Sequence, residues 1–348
     1  CIAVADSHGK TTTSGMIAYI LSKSSVGCSA FLGGIAKNFD NNFILNNNSE
    51  YIVVEADEYD RSFLQLHPTY SVITATDPDH LDIYKTHENL LAAFAQYGNQ
   101  TQKDGKLFIK QTIDLDITEN INTKHYSFDN IEAEYYAWNV RIYKGNYFFD
   151  LHTPNHIYYD MELTGAPLYN VENAVVACAI ALECGVNEHE LRLGLKTFEG
   201  IRRRFDYRIK TENFVFIDDY AHHPTELSTV IESVKRLYPN KRIVGVFQPH
   251  LYSRTMDFAQ EFADSLLPLD EIILLDIYPA REKPIPGISS KTILHKINKM
   301  SKYLCGKEEL CDVLLALTPD VLITLGAGDI DILVPTIEMA FNEELETK

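Results

Sequence analysis

The sequence predicts two successive α/β domains: a P-loop-type parallel-sheet domain with an appended antiparallel sheet, then a Rossmann-like domain. Three observations carry this reading. First, the apolar run Ile2 to Ala5 breaks at Asp6-Ser-His-Gly9 and enters a helix opened by Lys10-Thr-Thr-Thr-Ser14, which is the strand–turn–helix order of a phosphate-binding loop. Second, the apolar strands Tyr51 to Glu55 and Ser71 to Ala75 each run into a carboxylate- or histidine-bearing cluster, as at the C-terminal edge of a ligand-binding parallel sheet. Third, strand and helix resume their alternation beyond Gly200-Ile-Arg-Arg-Arg-Phe205.

Taken in order, the first helix carries Met16, Ile17, Ile20 and Leu21 on one side. Leu32-Gly-Gly-Ile35 and the Asn-rich stretch from Asn38 to Ser49 read as loop, because glycine and asparagine punctuate regular structure. Glu88 to Tyr97 reads as a helix and Lys106 to Ile109 as a strand. From Tyr135 to Leu163 the period drops to two with many aromatics, which predicts antiparallel strands. Asn170 to Cys184 and Glu188 to Phe198 read as amphipathic helices, and the arginine-rich stretch after Gly200 as a polar hinge. The expected domains are therefore 1–203 and 204–348. In the second, strands Phe214 to Ile217, Arg242 to Phe247, Glu271 to Asp276 and Asp320 to Leu325 alternate with helices near 224–237, 254–266, 289–299 and 329–345.

At 348 residues the chain is long enough for two cores, and 45% hydrophobic with 23% charged residues describes a globular protein. A net charge of −18 disfavours a nucleic-acid partner, which needs clustered Lys and Arg. A nucleotide is still compatible, since local N–H groups, one lysine and a cation set the field there. The six cysteines (Cys1, Cys28, Cys178, Cys184, Cys305 and Cys311) lack C-x-x-C spacing and read as free thiols of a reducing cytoplasm. No apolar run reaches membrane-spanning length and no secretory leader is visible. The chain opens inside a strand without an initiator Met, so a missing N-terminal segment is expected.

The chemistry starts at the loop. Gly9 admits a phosphate close to the main chain, Lys10 supplies a point charge for β/γ-phosphates, and the Thr11 hydroxyl can ligate Mg²⁺. The strict P-loop pattern places a glycine where this chain has Val4, so an ordinary glycine-containing βα turn is the plain alternative. Glu55 and His80 each follow a strand on the same sheet edge and, with Thr11, make a reasonable Mg²⁺ shell. Taken singly, His80 reads as a structural histidine and Glu55 as a surface carboxylate. Asp57, Glu58, Asp77, Asp79 and Asp82 crowd the same edge and receive no individual roles.

Further motifs follow in order: His8-Gly-Lys-Thr-Thr-Thr13, Glu55-Ala-Asp-Glu58, Asp79-His-Leu-Asp82, Asn170-x-x-Asn173, Arg203-Arg-Phe205 and Asp218-Asp-Tyr-Ala-His-His-Pro-Thr-Glu226. Then come Phe247-Gln-Pro-His-Leu-Tyr-Ser-Arg-Thr255, Pro284-Ile-Pro-Gly287 and Gly326-Ala-Gly-Asp329. Together they span nearly the whole chain, and the set resembles the Mur ligases of peptidoglycan synthesis, in particular the branch that adds L-alanine to UDP-N-acetylmuramate.

The resemblance implies a central P-loop-type ATPase domain followed by a Rossmann-like domain, and an ATP-dependent, ADP-forming amide-bond ligase using Mg²⁺. A substrate carboxylate attacks the γ-phosphate to give an acyl phosphate, which the amine of alanine then attacks with release of phosphate. Such chemistry brings anions together, so catalysis is charge neutralisation and positioning. By motif, the resemblance implies nucleotide contacts at His8, Gly9, Lys10, Thr11, Thr12, Asn170, Asn173, Arg204 and Asp219. It implies metal ligation by Thr11, Glu55 and His80. It implies catalytic roles for Lys10, His80, His222 and Arg254, with the Tyr278 to Glu282 stretch near the amino acid. The expected partners are small molecules, with no nucleic acid and no membrane, and the chain a monomer or weak homodimer.

Each motif also has a plain structural reading: Asn173 opening a helix, Asp219 capping the helix after Pro224, Arg202 to Arg204 a solvated hinge, Gly326-Ala-Gly a βα turn. Asp6-Ser7 stands where the family has glycine and threonine, and Tyr169 where it often has histidine. An extra carboxylate at residue 6 repels ATP unless it points away or holds Mg²⁺ through water. The resemblance also implies an N-terminal UDP-binding domain that this chain lacks, and hence ATP–Mg²⁺ binding with poor ligation of the UDP-sugar. Competing readings are a recycling ligase that takes an intact tripeptide and a non-catalytic nucleotide-binding regulatory protein.

Overall fold

The computed structural model describes residues 1–6, 9–77 and 81–347, without the side chains of 81 and 82. His8, Asp79 and His80 lie outside the described residues. Residue contacts divide the chain into Cys1–Arg202 and Arg203–Lys348.

The first unit runs β1 Ile2–Ala5, α1 Lys10–Lys23, β2 Ser29–Ala36, β3 Asn41–Ile44, β4 Ile52–Ala56, β5 Tyr70–Ile73, α2 Leu81–Tyr84, α3 His87–Asn99, β6 Lys106–Lys110 and β7 Thr123–Ser127. It continues with β8 Tyr135–Tyr143, β9 Asn146–His152, β10 Ile157–Thr164, α4 Tyr169–Glu183 and α5 Glu188–Lys196. Its strands form one sheet in the order β10-β9-β8-β7-β6-β5-β1-β4-β2-β3. From β2 to β8 the neighbours are parallel, whereas β3, β9 and β10 pair antiparallel at the two edges. The aromatic period-two strands thus extend the parallel sheet.

β1 is entirely buried at the sheet centre, as its unbroken apolar run requires. On one face Phe63, Phe94, Tyr97 and Leu107 pack into a core with Ala3 and Ala5, and the Tyr97 hydroxyl donates to the Ala3 carbonyl at 2.7 Å. α1 is buried from Thr12 through Leu21, around its whole circumference rather than on the one apolar side read from sequence. α3 and α5 start on side-chain caps, with Thr86 accepting from the Asn89 N–H and Asn187 from that of Glu190.

The stretch 32–35 corrects the sequence reading. Leu32-Gly-Gly-Ile35 lies inside strand β2, and part of the Asn-rich segment forms β3. The reason is tertiary. A Cβ on Gly33 would sit 2.4 Å from Glu55 Oε2, so this glycine makes room for a carboxylate on β4 and marks no turn.

The second unit runs β11 Asp206–Lys210, β12 Val215–Asp219, α6 Pro224–Leu237, β13 Ile243–Phe247, α7 Tyr252–Asp257, α8 Ala259–Leu266 and β14 Glu271–Leu274. It ends with α9 Ser290–Leu294, β15 Lys302–Leu304, α10 Leu310–Leu317, β16 Val321–Leu325 and α11 Val334–Thr347. The sheet order is β11-β12-β16-β13-β14-β15, parallel except for β11. Its core gathers Phe214, Phe216, Val244, Val246, Leu314 and Phe341. The helix expected over 254–266 is two helices, α7 and α8, that meet at Phe258. The helix expected over 289–299 is the five-residue α9. β11, β15 and α10 are elements the sequence reading did not anticipate; the first two are short edge strands whose pairing, rather than any local pattern, defines them.

Candidate functional site

In the first unit the site is built where β1 and β4 end against the start of α1. Gly9 caps α1 with φ +117°, a left-handed conformation that glycine adopts without a Cβ penalty. A Cβ there would lie 2.7 Å from Asp6 Oδ2, 3.8 Å from Thr74 Oγ1 and 3.9 Å from Asn173 Oδ1. Asp6 is fully buried, and its carboxyl packs against Gly9 rather than facing solvent. Thr12, expected at the nucleotide, is almost buried in the first turn of α1.

Lys10 donates from Nζ to the Asp6 carbonyl at 2.6 Å and pairs with the Glu58 carboxylate. Thr11 Oγ1 donates to Glu55 Oε2 at 3.1 Å, while Glu55 Oε1 accepts from Ser14 Oγ at 3.2 Å and from the Gly33 N–H at 2.5 Å. The Glu55 carboxylate is therefore aimed by three donors from two elements. Of the acidic residues at this edge, Asp57, Asp60 and Asp77 are exposed and Glu58 is buried. Asn170 and Asn173 sit on the first turn of α4, joined by an Nδ2–H···Oδ1 bond of 3.0 Å from Asn173 to Asn170. Asn173 is thereby brought beside the Gly9 loop.

Thr11 and Glu55 offer hard oxygen donors of the type Mg²⁺ takes, so this pair fits the cation that the loop implies. Among the described residues no group of three His, Cys, Asp or Glu side chains converges as a metal site. His80, the third expected ligand, lies outside them, as does His8.

The second unit gathers its own polar cluster beyond β12 and β13. Asp219 is buried, and its carboxylate accepts the main-chain N–H of Phe205 at 2.6 Å and of Ala221 at 2.7 Å. Burial pushes its carboxyl up to about 6, against the pull of those N–H groups and of Arg204. α6 begins with Pro224, and the Glu226 carboxylate accepts the His222 and His223 N–H groups. His222 Nδ1 lies 3.1 Å from the Tyr220 carbonyl. Because a carbonyl only accepts, Nδ1 carries the proton and Nε2 keeps its lone pair in the neutral ring. Burial holds His222 below the ordinary histidine value, opposed by Glu226 and reinforced by Arg254. The His222 ring meets His250 at 5.9 Å, and His250 stacks on Tyr278 at 5.8 Å. Arg254 Nη1 is buried with no hydrogen-bond partner among the described residues. The Arg204 guanidinium lies 5.3 Å from the Tyr220 ring centre. Glu282 accepts the Ser253 N–H at 3.0 Å and so ties the Tyr278 to Glu282 stretch to the start of α7.

The structure thus brings Gly9, Lys10, Thr11, Glu55 and Asn173 together in one unit, and His222, Arg254 and Tyr278 with His250 in the other. Sequence reasoning missed Ser14, Gly33, Glu58 and His250 as site residues. His250 lay in a quoted motif without a role. Nothing local separates Glu58 from Asp57 or Asp60.

Residues 4–181 match the Mur ligase middle domain, and residues 203–328 match the Mur ligase, glutamate ligase domain. The UDP-N-acetylmuramate–L-alanine ligase of Phocaeicola vulgatus is 50% identical over 338 residues, covering 97% of this chain and 74% of that protein. The enzyme of that name from Flavobacterium johnsoniae is 43% identical over 343 residues, covering 99% of this chain and 75% of its own. The chain thus spans about three quarters of the length of these relatives. The crystal structure of the UDP-N-acetylmuramate-alanine ligase from Thermotoga maritima shares the fold with a TM-score of 0.82 at 24% identity, covering 99% of this chain and 75% of that one. With the middle-domain pattern spanning its first unit and half its residues identical to such a relative, this chain belongs to the Mur ligase family.

Proposed function

We propose that this chain joins L-alanine to the lactyl carboxylate of UDP-N-acetylmuramate, driven by ATP, in peptidoglycan precursor synthesis. The observation that carries the reading is the 50% identity over 338 residues to a relative named for that reaction. In this reading a carboxylate oxygen bonds to the γ-phosphorus as ADP leaves. The amine nitrogen then bonds to the acyl carbon as phosphate leaves and the amine gives up a proton.

Lys10 neutralises phosphate charge at the mouth of the loop, where Gly9 lets the main chain come close. Thr11 and Glu55, together with His80 by motif, would hold Mg²⁺, which would neutralise phosphate oxygens against the incoming carboxylate. Asn170 and Asn173, the latter near Gly9, serve the adenine or ribose, and His8 and Thr12 complete the nucleotide contacts of the first unit; Arg204 and Asp219 are the nucleotide contacts assigned to the second. Arg254 suits a carboxylate or phosphate because its guanidinium binds bidentately. His222, neutral with a free Nε2, is suited to take the amine proton. The small-molecule substrates, a cytoplasmic setting and a monomeric or weakly dimeric state belong to the same reading; no described helix is long and apolar enough to cross a membrane.

The test is ADP release by this chain with ATP, Mg²⁺ and UDP-N-acetylmuramate, comparing L-alanine with the tripeptide. Alanine-dependent release is expected, poor with this chain alone and efficient when a UDP-binding domain is supplied with it. Release only with the tripeptide would assign the recycling reaction, and nucleotide binding without release even with the UDP-binding domain supplied would favour a non-catalytic role.

A further inference from the structure

The pairing of Lys10 with Glu58 has no place in the phosphate-loop pattern, and its geometry is specific. An ammonium has three N–H donors. In Lys10 one goes to the Asp6 carbonyl at 2.6 Å and another to the Glu58 carboxylate. The Glu58 side chain is 2% exposed and that of Lys10 17%, so the accessible part of the pair is the lysine. Glu58 is itself held in place, since its carbonyl accepts from the Tyr84 hydroxyl at 2.5 Å and from the Arg61 N–H at 3.0 Å. It also follows Glu55 by three residues, so one strand end both carries the aimed carboxylate and anchors the lysine.

We propose that Glu58 is a positioning residue for Lys10: with the Asp6 carbonyl it occupies two of the ammonium's three donors and leaves the third for a phosphate oxygen of the nucleotide. A lysine held in this way has lost its rotamer freedom before the nucleotide arrives, so less ordering opposes binding. What matters is the acceptor's reach rather than its charge. Glutamine at 58 keeps an acceptor at the same distance, aspartate draws it back by one methylene, and alanine removes it. The inference rests on the reading of this loop as a nucleotide site.

The experiment is calorimetric titration of a non-hydrolysable ATP analogue with Mg²⁺ into the chain and its Glu58→Gln, Glu58→Asp and Glu58→Ala variants, and into Lys10→Ala with and without Glu58→Ala. Thermal melts of each protein check folding. The expected result is affinity within about threefold of wild type for glutamine, several-fold weaker for aspartate and about tenfold weaker for alanine. In the Lys10→Ala background, Glu58→Ala is expected to change affinity by less than about twofold, because its effect passes through the lysine. An alanine variant that binds like wild type overturns the proposal, as does a loss of the same size without Lys10. If Glu58→Ala does not fold, the order of glutamine and aspartate decides, and aspartate binding better than glutamine overturns it. No binding by the wild-type chain would instead overturn the nucleotide reading itself, and this inference with it.

Discussion

The Glu55 carboxylate on β4 lies against Gly33 on β2, accepting its N–H at 2.5 Å with an oxygen only 2.4 Å from where a Cβ would stand. The pair joins strands that are adjacent in the sheet and distant in sequence. It fixes a carboxylate that the Thr11 and Ser14 hydroxyls also hold.

Gly33→Ala must displace that carboxylate. Nucleotide affinity in the presence of Mg²⁺ is expected to fall about 10- to 100-fold, the range found when a metal ligand loses its support. Affinity without Mg²⁺ is expected to change little. Titration under both conditions checks this, and an equal loss in each would mean that Glu55 serves the fold and not the cation.

Gly9→Ala combines a left-handed φ of +117° with a Cβ 2.7 Å from Asp6 Oδ2. A loss of about 1–3 kcal/mol of stability is expected from the backbone strain alone. Adding Asp6→Gly removes the carboxylate the Cβ meets and is expected to restore the further loss caused by that contact, while the strain remains. Denaturant unfolding of the single and double variants reads both.

Asp219 predicts a pH dependence of known sign. Its carboxyl stands at about 6 in the fold against 3.8 otherwise, mainly through burial. Its contribution is whole below 3.8, where the group is protonated in both states, and is lost as the pH rises through about 6. Relative to wild type, Asp219→Asn is expected to gain on the order of 3 kcal/mol of unfolding free energy across that window and to stay level above it. A difference that does not vary with pH would show that Asp219 ionises as readily folded as unfolded.

His222 is expected to titrate below 6.5 in the folded protein, followed by its ring proton resonances. Burial is the main cause, and Glu226 and Arg254 pull in opposite directions. Glu226→Gln should therefore lower the midpoint further and Arg254→Ala should raise it. Shifts of the reverse sign would remove the electrostatic account of a neutral His222.

Much of this protein was legible in its residues. The strand of Ile2 to Ala5, the turn at Gly9, the start of α6 at Pro224, the strand running to Glu55 and the strand core of Val215 to Ile217 all follow from local patterns of apolar runs, turn residues and caps. These signals are carried by neighbours in sequence, so sequence alone determines them. What the tertiary structure decided is which distant groups meet. Gly33 and Gly34 read as a loop until β4 brings Glu55 against β2, and Asp57 and Glu58 are indistinguishable until one is exposed and the other buried against Lys10. A carboxylate's role depends on the donors around it and on its access to water, and both come from strands and helices elsewhere in the chain.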